Sequence, residues 1–257
     1  MKQRALNELA IFALAVQFLT RLPIPVGNAF TPERLTAAAR YYPLVGALVG
    51  ALCALVYLLA ESSLTPTVAV ILALGAGLLI TGGFHEDGLA DTFDGLGGIE
   101  REQSLEIMRD SRIGTYGTLA LVMVLAAKAA ALSALSSQLV VIAFVVAHGL
   151  SRLSAVAVIA TGHYVRDHGI GKPTAAGIDK TGLLVAGGTG LLLLAWLTVA
   201  TEITAAVYAL VAVLVGHVFM RALFERRLGG YTGDTLGAVQ QLSELSLYLG
   251  LLLWQSS

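Results

Sequence analysis

Seven apolar segments recur along this chain, at residues 41–60, 67–83, 116–135, 139–159, 183–199, 205–220 and 236–254. Each approaches the ~20 residues that a helix needs to cross the hydrocarbon core of a bilayer. Lipid offers no hydrogen bonds, so a spanning segment must satisfy its own backbone, and runs of this length do so as helices. An eighth run, residues 6–19, is short enough to be interfacial or re-entrant. Lys2 and Arg4 give it a basic start. However, Thr20-Arg21-Leu22-Pro23-Ile24-Pro25 stands where a signal peptide would carry a small-residue cleavage site. The expected fold is all-α, a polytopic integral-membrane helical bundle with about seven or eight spanning segments in the lipid bilayer. One integral-membrane domain, residues 1–257, accounts for the chain, with no soluble appendage and no repeat. With 56% hydrophobic and 13% charged residues, the composition lies outside the range of ordinary soluble domains.

The position of the charges says more than their sum of -1. Long polar connections, residues 21–40, 84–115, 160–182 and 221–235, alternate with very short ones near Glu61, Ser136 and Glu202. The long set holds Arg21, Arg34, Arg40, Arg101, Arg109, Arg112, Arg166, Lys172, Lys180, Arg221, Arg226 and Arg227, which is 12 of the 16 basic residues. The positive-inside rule puts all four long connections in the cytoplasm. A multi-pass protein with its working face on the cytoplasmic side is therefore expected. No basic arm suggests nucleic acid as a partner. The lone Cys53 excludes an internal disulfide and reads as packing.

Against this background the run from Gly82 to Gly95 stands out, because His85, Glu86, Asp87, Asp91 and Asp94 crowd the end of an apolar span. Clustered carboxylates near lipid repel one another unless a cation or proton offsets them. On a helix, Asp87, Asp91 and Asp94 fall at i, i+4 and i+7, on one face. Such a face suits a hard divalent cation such as Mg2+, especially with phosphates completing its shell. Glu86 projects about 100° from Asp87 and is the candidate proton acceptor, while His85 reads as a substrate contact or a structural hydrogen bond. Next, Arg109 and Arg112 at i, i+3 offer planar forks for phosphate oxygens, or pair with Glu106 and Asp110. The loop Gly229-Gly230-Tyr231-Thr232-Gly233-Asp234 enters a helix as an anion cradle. There Asp234 is a natural N-cap that could also reach the cation.

Other polar residues read as structural. Residues 100–108 form an amphipathic surface helix, and His148 and His217 are hydrogen-bonded packing residues. Lys128 and Arg152 are expected to snorkel to the interface. His163, Arg166, His168 and Lys172 belong to a solvated loop that could meet an anion. Gly46 and Gly50 form a close-approach pair, and Gly75, Gly77, Gly187, Gly188 and Gly190 are expected to serve likewise.

Five blocks together, Phe18-Leu19-Thr20-Arg21-Leu22-Pro23, Tyr42-Pro43-Leu44-Val45-Gly46, residues 82–91, Asp110-Ser111-Arg112-Ile113-Gly114-Thr115-Tyr116-Gly117 and Thr232-Gly233-Asp234-Thr235-Leu236-Gly237-Ala238, closely resemble the adenosylcobinamide-GDP ribazoletransferase (cobalamin-5'-phosphate synthase) family, in the family's order. The resemblance implies transfer of the adenosylcobinamide-phosphate moiety of adenosylcobinamide-GDP to alpha-ribazole or alpha-ribazole 5'-phosphate, with release of GMP. It also implies Mg2+ dependence and a bacterial inner-membrane location. On that footing Asp87, Asp91 and Asp94 are expected to hold Mg2+ with Asp234 as a further ligand, and Glu86, Asp87 and Asp91 to act in catalysis. Arg21, His85, Arg109, Arg112, Thr232 and Gly233 are expected at the substrate. Self-association into a homo-oligomer is left open. A shorter likeness, Asp87-Gly88-Leu89-Ala90-Asp91, is similar to the start of the membrane CDP-alcohol phosphotransferase signature but lacks its arginine and its second half. The alternative of another class is a cation- or proton-coupled transporter, which would place carboxylates at span midpoints.

Overall fold

The computed structural model describes residues 2–27, 30–166 and 176–257. Eleven α-helices run through them: α1 (Lys2–Leu19), α2 (Pro32–Ala38), α3 (Tyr42–Glu61), α4 (Pro66–Thr81), α5 (Phe84–Gly95), α6 (Arg101–Ile107), α7 (Thr115–Ser133), α8 (Ser137–Thr161), α9 (Lys180–Ala200), α10 (Ile203–Leu228) and α11 (Gly233–Gln255), with a 3-10 turn at Ala39–Tyr41. Each of the seven expected segments becomes one helix: α3, α4, α7, α8, α9, α10 and α11. Among the described residues, six stretches are long and apolar enough to cross a membrane alone, the first running back from α3 to Pro32. The pair α4 and α5 makes a seventh if counted as one bent span. The eighth run lies in α1, whose apolar part, Ala5–Leu19, is too short to join them. Glu8 ties α1 to the bundle through Tyr41 Oη at 2.8 Å and Arg40 at 3.4 Å.

Pro43 and Pro66 stand in the first turns of α3 and α4, where a missing N–H costs nothing. At the other end of α4, Gly82 and Gly83 both take positive φ, 69° and 67°. Few other residues accept that region without strain. These two residues turn the chain through 89° between α4 and α5, so α5 lies across the end of the bundle instead of continuing the span.

The centre is α8, buried along most of its length. Gly46 and Gly50 of α3 face the backbone carbonyls of His148 and Phe144, where a Cβ would collide. Gly77 meets Cys53 and Gly190 meets Leu153, as close packing requires. By contrast Gly75, Gly187 and Gly188 face open space and pack against nothing within 4 Å. The outer surface stays apolar, with Leu79, Leu184, Leu191 and Val199 each more than two-thirds exposed. A rind of this kind is stable only when covered by lipid, and the protein is a multi-pass membrane protein.

Candidate functional site

Glycine contacts put the acidic helix where it is. A Cβ on Gly88 would lie 2.7 Å from the Asp234 carbonyl oxygen and 3.0 Å from its Cα. One on Gly237 would lie 2.9 Å from the His85 carbonyl oxygen. Thus α5 and the first turn of α11 touch backbone to backbone, and Asp87 and Asp91 come beside Asp234. Thr232 starts α11, exchanging hydrogen bonds with Thr235 in a capping box (3.3 Å and 2.8 Å). Tyr231 N donates to the His163 carbonyl at 2.7 Å, and Val165 N donates back to Tyr231 at 3.0 Å. This clip brings Arg166 Nη1 to 2.7 Å from Asp234 Oδ2.

These elements enclose a cavity of about 810 Å³ at one end of the bundle. Its acids are Glu86, Asp87, Asp91 and Asp234, its cations Arg21, Arg109, Arg152 and Arg166, and its further polar lining includes His85 and Ser111. Asp234 and Asp87 are the like charges that act most on Asp91, with Arg166 opposing them. Arg21 leans on Gly82, where a Cβ would displace its guanidinium. Glu86 Oε1 accepts from Gln241 Nε2 at 2.8 Å, while its Oε2 is buried without a hydrogen-bond partner. The arrangement can grip a polyanion with the arginines and present carboxylates to a cation or a proton.

The structure divides the expected residues. Arg21, His85, Glu86, Asp87, Asp91, Arg109, Gly233 and Asp234 share the cavity wall; Asp94, Arg112 and Thr232 do not. Asp94 is buried, and its two carboxylate oxygens accept from Gly114 N at 2.7 Å and Gly117 N at 2.8 Å. It closes the N-terminus of α7, a place that favours negative charge. The Arg112 side chain, 87% exposed, pairs with Asp110 at 2.6 Å, and this hydrogen bond holds the Asp110 carboxyl down at about 2. Thr232 is wholly buried as the N-cap, so the expectation that Asp234 caps α11 is corrected: Asp234 faces Arg166 instead. Arg166, expected in a solvated loop, lines the cavity, and His163 is exposed and lies outside it. His168 and Lys172 lie outside the described residues.

Lys128 and Arg152 are the larger correction. Neither snorkels; both are 2% exposed. Lys128 Nζ lies 2.8 Å from Glu244 and 2.6 Å from Gln241 Oε1. Arg152 Nη1 donates to the His148 carbonyl at 2.9 Å. His148 and His217 hold internal partners, Arg152 and Ser154 respectively. Glu244 is midway along α11, where transport would want a carboxylate. Its oxygens are taken up by Lys128, Gln240 at 2.6 Å and Tyr248 at 3.3 Å. A conspicuous polar run in the last span, Gln240, Gln241 and Glu244, was the sequence signal for this network.

Among the described residues, no three of His, Cys, Asp and Glu are assembled closely enough to hold a metal ion alone. Four aspartates closing on one ion is therefore not what the fold displays, since Asp94 is committed to α7. The donor chemistry nevertheless fits Mg2+. Asp87, Asp91 and Asp234 are hard oxygen donors on one wall. Mg2+ characteristically takes one or two carboxylates and completes its octahedron with water and substrate phosphate.

A family model described as cobalamin-5-phosphate synthase matches residues 11–252. The chain is 47% identical to the adenosylcobinamide-GDP ribazoletransferase of Leptothrix cholodnii, over 95% of the chain and 96% of that relative. It is 46% identical to the protein of the same name from Shewanella woodyi, over 96% of both. With that from Vibrio cholerae it shares 43% identity, over 95% of the chain and 94% of the relative. No solved structure matches.

Proposed function

The chain belongs to the cobalamin-5-phosphate synthase family, and on that premise we infer that it is an adenosylcobinamide-GDP ribazoletransferase whose active site is the acid- and arginine-lined cavity. It joins adenosylcobinamide-GDP to alpha-ribazole or its 5'-phosphate, the step that assembles the nucleotide loop of cobalamin, and releases GMP. One observation carries the assignment of the site. Carboxylates and arginines from six separate stretches of sequence line a single cavity of about 810 Å³ at one end of the bundle.

In the reaction, the ribazole 3'-oxygen forms a bond to the phosphorus that carries cobinamide, and the bond from that phosphorus to the GMP oxygen breaks. Phosphoryl transfer of this kind needs the two oxygens in line and the equatorial charge neutralised. Arg21, Arg109 and Arg166 bind the diphosphate, and Arg152 adds a fourth cation to the cavity lining. Glu86 takes the proton of the attacking hydroxyl on Oε2, the oxygen left without a protein partner. Asp87, Asp91 and Asp234 would hold Mg2+, which supplies charge neutralisation on the phosphate oxygens when bound. The long connections around the cavity carry most of the basic residues, which supports a cytoplasmic active face in a bacterial inner membrane.

The test is to supply purified protein with both substrates, with Mg2+ or with excess EDTA. GMP and the joined corrinoid are expected in equal amounts with Mg2+, and turnover is expected to cease with EDTA. Full turnover in EDTA would remove the metal, and substrate uptake into vesicles without GMP release would replace the transferase by a transporter.

A further inference from the structure

We propose that Lys128, buried in the bundle and touching no substrate, is a positioning residue that acts through Gln241 to fix the carboxylate of Glu86. This rests on the reading of Glu86 as proton acceptor and adds how that acceptor is aimed. Three helices contribute: Lys128 from α7, Gln241 and Glu244 from α11, and Glu86 from α5.

The chemistry of the donors fixes the direction of each bond. An ammonium donates and cannot accept, so the Gln241 oxygen must face Lys128, at 2.6 Å. The Gln241 amide nitrogen is thereby turned toward Glu86 Oε1 at 2.8 Å and Gln240 Oε1 at 2.8 Å. Lys128 itself has no room to swing, being held 2.8 Å from Glu244 with both side chains 2% exposed. Glu244 is in turn held by Gln240 and Tyr248. One oxygen of Glu86 is thus pinned by a donor of known orientation, which leaves Oε2 as the buried, unpartnered atom of a residue on the cavity wall. Without the cation, the Gln241 amide can turn over and offer Glu86 an oxygen, which repels a carboxylate.

Placement also argues for use. A lysine–glutamate pair inside a membrane bundle is costly to desolvate, and an apolar pair of similar size packs at least as well. This pair is joined by hydrogen bonds to one wall of the cavity, and it reaches that wall at Glu86.

A double-mutant cycle on the full-length protein tests the idea, with kcat and both KM values measured at saturating Mg2+. Lys128→Met is expected to lower kcat by about ten- to a hundredfold, the usual cost of a loosened catalytic group. KM for both substrates should stay within about twofold. Lys128→Arg, which keeps the cation, should recover most of the loss. In a Glu86→Gln background, Lys128→Met should change kcat by less than about twofold, because two residues acting as one unit are not additive. Gln241→Met breaks the link but leaves the Lys128–Glu244 pair, so it repeats the cycle should Lys128→Met fail to fold. Equal losses from Lys128→Met or Gln241→Met in both backgrounds would reduce the network to scaffolding and overturn the proposal. Wild-type kcat in Glu86→Gln alone would be a different failure: it would remove the acceptor itself, and with it the network's purpose.

Discussion

Asp91 and Asp94 stand three residues apart on α5 and have opposite environments. Asp91 faces the cavity beside Asp234 and Asp87, whereas both oxygens of Asp94 are consumed by the N–H groups that open α7. Their substitutions should therefore separate stability from chemistry. Asp94→Ala leaves one buried and one partly buried N–H group unsatisfied and should cost about 1–3 kcal/mol, read as a lower Tm in detergent. Asp91→Asn should leave Tm near that of the parent and lower GMP release by about a hundredfold or more, the scale of a lost electrostatic group in an active site. A stable, inactive Asp94→Ala variant would return Asp94 to the ion. At this scale the sequence showed which acids cluster, and the α5 helix it implied is present. The partition between ion and helix cap depended on Gly114 and Gly117, twenty or more residues away.

At the scale of elements, the contact between α5 and α11 decides the site. It exists because Gly88 and Gly237 let two backbones meet. A methyl group on Gly88 would strike the backbone of Asp234, which cannot yield as a flexible side chain would. Gly88→Ala should push the helices apart by a few tenths of an ångström or more, carrying Asp87 and Asp91 away from Asp234. We expect kcat/KM to fall about tenfold or more, as small misplacements in active sites do, and the Mg2+ concentration for half-maximal activity to rise. Gly187→Ala is the control: it faces open space within α9 and should keep full activity. An unchanged Gly88→Ala enzyme would show that the two helices do not need this contact for turnover. Gly187 and Gly190 were both close-approach candidates in the sequence, yet only Gly190 lies on the packed side of α9, and the contact through Gly88 and Gly237 was not legible there.

Across the whole molecule, α6 and the cavity lie at one end of the bundle and the 62–65 turn at the other, and the alternation of long basic connections with short ones predicts that the cavity end is cytoplasmic. The chain's single cysteine, Cys53, is fully buried, so maleimide should not label the parent protein. Glu106→Cys should be labelled from the cytoplasmic face of inverted inner-membrane vesicles, and Ser63→Cys only when the opposite face is accessible. The reverse pattern would invert the topology and place the active face outside.

What the amino-acid sequence determined by itself was the number and rough limits of the membrane helices, the gathering of basic residues in the long connections, and the identity of the acidic helix. Each is a local property: the length of an apolar run, the charge of a loop, the spacing of acids on one turn. What only the tertiary structure decided was partnership. Lys128 snorkels if it faces lipid and pairs if it faces α11, and its partner Glu244 lies 116 residues away. Arg166 becomes part of the site because a two-bond clip between Tyr231 and residues 163–165 carries it to Asp234. Charges in a low-dielectric bundle must be neutralised by whatever the packing of helices brings near, and that packing is set by glycine contacts spread over the whole chain.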